Sequence, residues 1–352
     1  MTRAAGPSAT RVVIIGAGPA GLAAAACLKL RGVAATLLER GPQAAAALRK
    51  VDPDMALFSP ARLSRLPGMA LASATNYPTF RELAAALDRY REHHALDIVT
   101  DCEVTAVERT ASGFVVRGSR GAYDGSHVIS ATGLIGSPRL PAELDVATSK
   151  LRWMHSLDVR RDHIAGARRL LVVGAGASAA DLLATWLAVR RPDDRAWLAV
   201  RSKLRTMRRS LLGIDVHYLV WLPEHLPGRP FGPRLSPVDP VLDGEMTRAI
   251  RRGAIPQVAV ARYLPASVEL TSGEAIEPDL VVLATGFHHD TRHLGELVER
   301  DPAGWPILRR CESRRTPGLY VLGARFARSI ASPYLRGIAR DAAFVARRIA
   351  RS

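Results

Sequence analysis

Two glycine-rich turns are the residues whose types and spacing point most clearly to chemistry. The first, Gly16-Ala17-Gly18-Pro19-Ala20-Gly21, has the pattern GxGxxG, and the second, Gly174-Ala175-Gly176-Ala177-Ser178-Ala179, has alanine in the third place. In such a turn the first glycine permits a tight bend, the second lets the backbone approach a pyrophosphate, and the third lets helix and strand pack closely. The helix that follows directs its positive N-terminus at the phosphates. Each turn therefore predicts a dinucleotide site.

The residues that end the following strand differ between the two sites. Glu39 lies 18 residues after Gly21, where an acid takes the ribose hydroxyls of a dinucleotide, and Arg40 follows it. Arg201 has the corresponding place, 22 residues after Ala179, with Lys203 beside it. Because a cation suits the 2′-phosphate of NADPH, we predict FAD at the first site and NADPH at the second. The alternative for Arg201 is a solvated strand end.

Short hydrophobic elements must position these turns. A β-branched run precedes each turn and a helical stretch follows it, and each unit has a later Ala-Thr-Gly after another apolar run, at 131–133 and 284–286. This internal repeat predicts an α/β fold with two Rossmann-like dinucleotide-binding domains. The predicted elements of the two units are Arg11–Ile15, Leu22–Arg31 and Ala34–Glu39, then Arg169–Val173, Ala177–Val189 and Ala196–Arg201.

The order of these elements predicts that the NADPH domain is inserted into the FAD domain. We assign residues 1–145 and 287–352 to a discontinuous FAD-binding domain and residues 146–286 to the NAD(P)H-binding domain. A small antiparallel insert is expected within the first part, and a helix should close the chain. The predicted insert strands are Ile98–Val107, Gly113–Gly118 and Ala122–Ser130, and the predicted helices are Thr79–His94 and about Ser332 to Ala350.

Composition narrows the possible partners. The chain of 352 residues carries a net charge of +16, yet its basic residues are spread along it without an interleaved aromatic stripe, so we expect no nucleic-acid partner. Cys27, Cys102 and Cys311 are far apart, which argues against an internal dithiol and fits a reducing cytoplasm. The histidines lack metal-ligand spacing, so no metal site is predicted.

The leucine-rich stretch Leu211–Leu226 leaves three alternatives open. It could line a channel for an apolar substrate, or it could contact an anionic membrane weakly from the periphery, because Arg205, Arg208 and Arg209 precede it. Ordinary core packing is the third alternative. No uncharged stretch reaches the length of a membrane span.

Several further segments share a pattern with a known family. Together with both glycine turns and both Ala-Thr-Gly strand ends, they resemble the class B flavoprotein monooxygenases, which include the flavin-containing monooxygenases and the plant YUCCA enzymes. The signature FxGxxxHxxx(W/Y) of that family keeps only its histidine, His155. The similar segments are 57–62, 66–68, Tyr77-Pro78-Thr79, 136–141, His155-Ser156, 253–256 and 278–287.

The resemblance implies an NADPH-dependent FAD monooxygenase that forms a C4a-(hydro)peroxyflavin with O2 and oxygenates a small organic substrate. The alternative is an FAD-dependent NAD(P)H oxidoreductase that passes electrons to a non-oxygen acceptor without a dithiol. Tyr77 and His155 are the candidate catalytic residues; Tyr77 could equally pack in the core, and His155 could orient the nicotinamide or form a hinge contact. The resemblance also assigns cofactor contacts to Ser59, Arg62, Val104, Ala131, Thr132, Gly133, Thr285, Gly286, Gly323 and Ser332.

Overall fold

The structure, a computed structural model, describes residues 12–144, 149–201, 204–225 and 241–352, and for 222–225 the backbone alone. The predicted cofactor residue Lys203 and the end of the leucine-rich stretch lie outside the described residues. In chain order the described strands are β1 (Val12–Ile15), β2 (Ala35–Leu38), β3 (Ile98–Val99), β4 (Val104–Thr110), β5 (Gly113–Gly118), β6 (Gly121–Gly125), β7 (His127–Ser130), β8 (Trp153–His155), β9 (Arg169–Val173), β10 (Arg195–Ala199), β11 (Thr206–Met207), β12 (Ser210–Leu211), β13 (Ile214–Asp215), β14 (Val241–Leu242), β15 (Gln257–Val258), β16 (Val260–Tyr263), β17 (Val268–Leu270), β18 (Ala275–Ile276), β19 (Leu280–Leu283), β20 (Leu308–Arg309), β21 (Glu312–Ser313) and β22 (Leu319–Val321). The α-helices are α1 (Pro19–Lys29), α2 (Phe80–His93), α3 (Arg161–Ala165), α4 (Ala177–Val189), α5 (Val216–His225), α6 (Glu245–Arg251) and α7 (Leu335–Ala350).

Two mainly parallel sheets form the cores. The first has the strand order β20-β21-β22-β7-β1-β2-β3 and is parallel except at β20 and β21. Its strands come from both the N-terminal and the C-terminal parts of the chain. The second has the order β15-β10-β9-β19-β8, is parallel throughout, and takes its strands from the middle of the chain. Every residue of β1 and β19 is buried, as continuous apolar runs predict for central parallel strands. The predicted α/β fold class is confirmed.

The two sheets repeat one arrangement around the glycine turns. Strand β1 lies between β2 and β7, so the turn after β1 adjoins the Ala-Thr-Gly segment that follows β7. Strand β9 likewise lies between β10 and β19, and β19 is followed by the second Ala-Thr-Gly. The internal sequence repeat is therefore a repeat of neighbouring strand ends.

The predicted antiparallel insert differs from the structure at both of its ends. Ile98–Val107 is not one strand, because Asp101 has a left-handed φ of 51° that separates β3, which pairs with β2, from β4. Ala122–Ser130 is likewise divided into β6 and β7, and β7 joins the large sheet. The insert itself is the three-stranded sheet β4-β5-β6.

The predicted helices need smaller corrections. Helix α2 begins after Thr79, whose hydroxyl accepts the backbone N–H of Glu82 while the Glu82 carboxylate accepts that of Thr79. Helix α7 begins at Leu335 and not at Ser332, because Tyr334 is extended and ends the preceding turn. Among the described residues, none of the helices combines the length and the apolar composition needed to cross a bilayer.

Candidate functional site

The first glycine turn has the geometry that a pyrophosphate site needs. Gly16 has a φ of +98°, and a Cβ there would lie 2.8 Å from the carbonyl oxygen of Ala131. A Cβ at Gly21 would lie 1.9 Å from the carbonyl oxygen of Gly16, so only glycine lets the helix pack here. A Cβ at Gly18 would meet nothing within 4 Å, and no side chain caps α1. The open N-terminus of α1 can therefore receive an anion.

The second glycine turn has the same geometry. Gly174 has a φ of +104°, and a Cβ there would lie 2.3 Å from the carbonyl oxygen of Ala284. Around Gly176 the space is again open, and no side chain caps α4. Ala179 is fully buried, so its methyl group is accommodated where the first turn requires glycine. Each turn thus packs on its own Ala-Thr-Gly segment.

A cavity of about 370 Å³ lies against the first turn. Apolar side chains form much of its wall, including Leu38, Leu57 and Ile338. This combination of an apolar wall and a few polar groups is typical of cofactor sites. The predicted cofactor residues that line it are Gly16, Gly18, Pro19, Ala20, Glu39, Arg40, Ser59, Val104, Ala131, Thr132, Gly133 and Gly323.

Glu39 supplies the charged group at the end of β2 in this cavity. It is 6% exposed, and its Oε2 accepts the Ala17 N–H at 2.9 Å while its Oε1 accepts the Gly41 N–H at 3.0 Å. These bonds fix the carboxylate, and each oxygen keeps a further lone pair for a hydroxyl donor. Glu39 therefore fits a ribose of a dinucleotide, and the residues present fit FAD.

Arg62 and Ser332, to which the resemblance assigned cofactor contacts, do not line the cavity. Arg62 lies in a short helix of residues 61–63 and lines a separate surface pocket with Arg65 and Asn76. Ser332 is fully buried, and its hydroxyl accepts the backbone N–H groups of Arg328 and Ser329. The first side chain lies at the surface, and the second stabilises the turn before α7.

The chain segments that link the two sheets run side by side. Pro138 pairs with Phe287 in an antiparallel bridge. The Arg139 N–H donates to the Gly286 carbonyl at 2.9 Å, and the Thr285 hydroxyl donates to the Arg139 carbonyl. On the first segment, the Thr132 hydroxyl donates to the Asp290 carbonyl at 3.0 Å. One of these linking segments contains Thr132 and Gly133, and the other contains Thr285 and Gly286. We call the two segments the crossings.

His155 is fixed by backbone groups on both sides of its ring. It is 3% exposed; Nδ1 accepts the Leu157 N–H at 3.1 Å, so Nε2 carries the proton and donates to the Gly286 carbonyl at 3.0 Å. Burial lowers its pKa from the ordinary value of 6.5. Both nitrogens are engaged, so the geometry favours the hinge contact over direct orientation of a nicotinamide.

Tyr77 takes part in a polar cluster that the sequence did not reveal. Its hydroxyl donates to the Asp215 carboxylate, which also binds Nδ1 of His217 at 2.9 Å. His217 is 1% exposed, and its Nε2 has no hydrogen-bond partner among the described residues. Its ring lies edge-on to Phe58, a cavity residue, with centroids 5.0 Å apart. The cluster therefore lies directly behind the cavity wall.

The structure gives the second nucleotide site a different charge balance from the sequence prediction. The Arg201 side chain is 82% exposed, and its guanidinium lies 3.4 Å from the carboxylate of Glu143. An exposed pair of this length contributes little to stability and can separate when an anion arrives. Arg201 is thus accessible, but it is paired with Glu143, which would compete with any phosphate for the guanidinium.

His289 and His293 follow the second Ala-Thr-Gly segment, after the exposed His288. His293 lines the cavity, and its Nε2 lies 3.1 Å from the Ser130 hydroxyl. Neither ring nitrogen of the buried His289 has a hydrogen-bond partner among the described residues. Burial, with the nearby His293, lowers the pKa of His289 to about 4. His289 is therefore neutral near pH 7.

We expect His289 to make the protein sensitive to acid. In the unfolded chain its pKa is about 6.5, so protons bind preferentially to the unfolded state as the pH falls from 6.5 towards 4. At pH 5 this amounts to a loss of about 2 kcal/mol in the free energy of unfolding. His289→Leu should remove this part of the pH dependence, whereas the same change at the exposed His288 should not. Urea denaturation at pH 7 and pH 5 measures the difference; equal pH dependence in both variants would contradict the assignment.

Comparison with known proteins identifies the family of this chain. A model of the pyridine nucleotide-disulphide oxidoreductase family matches residues 13–204. A CzcO-like oxidoreductase from Geobacillus kaustophilus is 28% identical, covering 95% of this chain and 96% of the relative. The indole-3-pyruvate monooxygenase YUCCA1 from Oryza sativa subsp. japonica is 29% identical, covering 88% of this chain and 86% of the relative.

Solved structures share the fold at lower identity. A flavin-containing monooxygenase from Stenotrophomonas maltophilia has a TM-score of 0.77 at 24% identity, covering 96% of this chain and 97% of that one. The bacillithiol disulfide reductase from Bacillus cereus has a TM-score of 0.73 at 20% identity, covering 98% of this chain and 99% of that one. The predicted resemblance to class B flavoprotein monooxygenases is confirmed: the chain belongs to the pyridine nucleotide-disulphide oxidoreductase family and is a flavoprotein oxidoreductase.

Proposed function

We propose that this protein is an NADPH-dependent FAD monooxygenase that uses O2 to oxygenate a small organic substrate. The observation that carries the proposal is the pair of open glycine turns, each packed on its own Ala-Thr-Gly segment, with the two crossings side by side. We assign residues 1–145 and 287–352 to the FAD domain and residues 146–286 to the NADPH domain. The three free, buried cysteines support a reducing compartment such as the cytoplasm.

The proposed division of labour follows from the contacts of the residues. When bound, the flavin supplies hydride acceptance and oxygen activation, and the protein supplies binding, orientation and a dry pocket. Gly18 and Pro19 open the N-terminus of α1 to the pyrophosphate, and Glu39 accepts ribose hydroxyls. Gly176 opens α4 in the same way for NADPH.

The Tyr77–Asp215–His217 cluster is the proposed polar end of the substrate site. Asp215 holds Nδ1 of His217, so the neutral imidazole offers Nε2 as a hydrogen-bond acceptor. Phe58 separates the cluster from the cavity, and its ring stacks on Tyr334 with centroids 5.9 Å apart. Phe58 and Tyr334 exclude water, while His217, directly behind Phe58, can hold or receive a proton at Nε2.

An electron-transfer function is the second candidate. It is favoured by the similarity to the Bacillus cereus bacillithiol disulfide reductase, whose TM-score is close to that of the monooxygenase. In this case the protein passes electrons from NAD(P)H to a non-oxygen acceptor. Cys27, Cys102 and Cys311 are each unpaired and buried, so such an acceptor is reduced without an internal dithiol.

An NADPH-oxidation screen with hydrogen peroxide measured in parallel tests the proposal. Amines, thioethers, ketones and arylpyruvates are offered to the FAD-loaded protein. A substrate should lower the peroxide formed per NADPH and yield an oxygenated product. Rapid mixing of the reduced protein with O2 should show a transient absorbance distinct from oxidised and reduced flavin. Direct reoxidation without that transient, together with fast reduction of a quinone or small disulfide, would favour the second candidate.

Arg201→Ala should weaken NADPH binding about tenfold and leave NADH binding unchanged, because only NADPH has the 2′-phosphate. Arg195→Ala is a matched control at the opposite end of β10. Glu143→Gln should strengthen NADPH binding, because it frees the guanidinium. Titration of the FAD-loaded variants with NADP+ and NAD+ provides the measurement. Equal losses for both nucleotides in Arg201→Ala would refute the 2′-phosphate contact.

A further inference from the structure

The hairpin formed by β12 and β13, together with the start of α5, exposes an apolar surface. Five of the eight exposed large hydrophobic side chains in the described part of the chain lie within residues 211–219. Leu212 at the tip is 95% exposed, and Leu211 and Ile214 beside it are about half exposed. We call residues 210–219 the apolar hairpin segment. Such clustering marks an interaction surface, whereas single exposed apolar residues do not.

The tip of this segment has a backbone conformation that does not suit leucine. Leu212 has a φ of +50° and Gly213 a φ of +79°. Two-residue hairpins with both central residues in this region strongly prefer asparagine, aspartate or glycine. A leucine in this conformation is strained, and because Leu212 is exposed, no packing of its side chain offsets the strain. Burial of Leu212 against another surface would offset it.

Cations lie near both ends of the apolar hairpin segment. Arg205, Arg208 and Arg209 precede it along the chain and are exposed. Behind it, the Arg340 guanidinium lies 5.9 Å from the ring centroid of Trp221 on α5. Arg340 also lines a surface pocket with Arg65 and Arg347. The basic side chains thus continue from the hairpin across α5 to α7.

We propose that the apolar hairpin segment inserts into the interface of an anionic lipid bilayer, with the surrounding arginines on the headgroups. Exposed apolar residues rimmed by cations are the pattern of peripheral membrane segments. A second copy of this chain fits less well, because a twofold contact would oppose arginines to arginines. Asp215, at the base of the hairpin, binds Tyr77 and His217 behind the cavity, so docking turns this side of the cavity towards the lipid.

Vesicle flotation of the full-length, FAD-loaded protein tests the proposal. One set of vesicles is phosphatidylcholine alone, and in the other a quarter of the lipid is phosphatidylglycerol. Binding should require phosphatidylglycerol and weaken with salt. Leu212→Glu should reduce binding at least tenfold, whereas Leu30→Glu, at another exposed leucine, should not change it. Arg205→Gln and Arg208→Gln should each reduce binding about fivefold. Arg209 is excluded because it contacts Tyr77.

Leu212→Trp keeps the site apolar and provides a second measurement if Leu212→Glu does not fold. The fluorescence that the new tryptophan adds to that of the wild-type protein should shift to the blue and be quenched by brominated lipids only when the vesicles are anionic. No binding by the wild-type protein, or equal binding by Leu212→Glu, would overturn the proposal. A dimer in light scattering that Leu212→Glu converts to a monomer would assign the surface to a second copy and also overturn it. NADPH oxidation without vesicles, measured alongside, reports on the proposed function separately.

Discussion

Gly18→Glu should abolish the retention of FAD and leave the fold intact. Gly18 has a φ of −75°, which suits any residue, and a Cβ there would meet nothing within 4 Å. The new side chain would enter the cavity at the N-terminus of α1, where its carboxylate takes the place of the pyrophosphate and repels it. We expect FAD affinity to fall at least about a hundredfold, which corresponds to about 3 kcal/mol.

Gly176→Glu is the matched control, because Gly176 has nearly the same backbone conformation, with a φ of −89° and equally open space. This variant should retain FAD and lose NADPH binding, so its flavin should not be reduced by NADPH while dithionite still reduces it. Flavin absorbance per protein after gel filtration and anaerobic NADPH titration are the two measurements. If Gly176→Glu lost FAD and Gly18→Glu retained it, the assignment of the two sites would be reversed.

His217→Gln should lower substrate turnover about a hundredfold without changing FAD content or the rate of flavin reduction by NADPH. Glutamine fills similar space but cannot exchange a proton, and general acid–base groups typically contribute a factor of 100 or more. Asp215→Asn should have a smaller effect of the same kind, because Asp215 orients the imidazole. His288→Gln repeats the change at an exposed histidine and should have no effect.

The pH dependence of turnover provides a second readout for His217. Burial lowers the pKa of His217 below the ordinary 6.5. The positive charges of Arg336 and Arg209 lower it further, whereas the carboxylate of Asp215 raises it. Tyr77, whose pKa burial and Asp215 raise, stays protonated. His217 is thus neutral at pH 7, and activity should fall only as the pH drops below 6.5, through its lowered pKa. A loss of turnover between pH 8 and pH 7 would exclude the proposed role of His217. Equal losses in the rate of flavin reduction and in turnover for His217→Gln would also exclude it.

Local patterns predicted the two glycine turns and the strands and helices around them, because local geometry determines such turns; the cofactor contacts stay a prediction. Gly16 and Gly21 each have a separate steric requirement within one turn, whereas the space at Gly18 is open, and requirements of this kind are visible in sequence. Arg62 and Ser332 were assigned by resemblance alone, and their side-chain directions depend on turns that the resemblance does not specify. The strand Ile98–Val107 was too long because apolar periodicity does not reveal the left-handed Asp101.

The polar cluster could not be predicted for a different reason. Tyr77 and Asp215 are 138 residues apart, and Asp215 and His217 lie in a stretch dominated by leucine. Only the packing of the hairpin base against the loop of Tyr77 brings the three groups together. The sequence offered one usable signal, an aspartate and a histidine two residues apart among apolar neighbours, but such a pair is common at surfaces.

The adjacent crossings have a consequence for how the chain is assembled. Since Arg139 and Gly286 are hydrogen-bonded, the two ends of the intervening segment meet, and a short glycine linker could replace about 140 residues at little loop-closure cost. The remaining polypeptide would keep the seven-stranded sheet, Glu39 and the open end of α1. It would be a minimal flavin carrier, to which any reductase module with neighbouring termini could be grafted at the same two points.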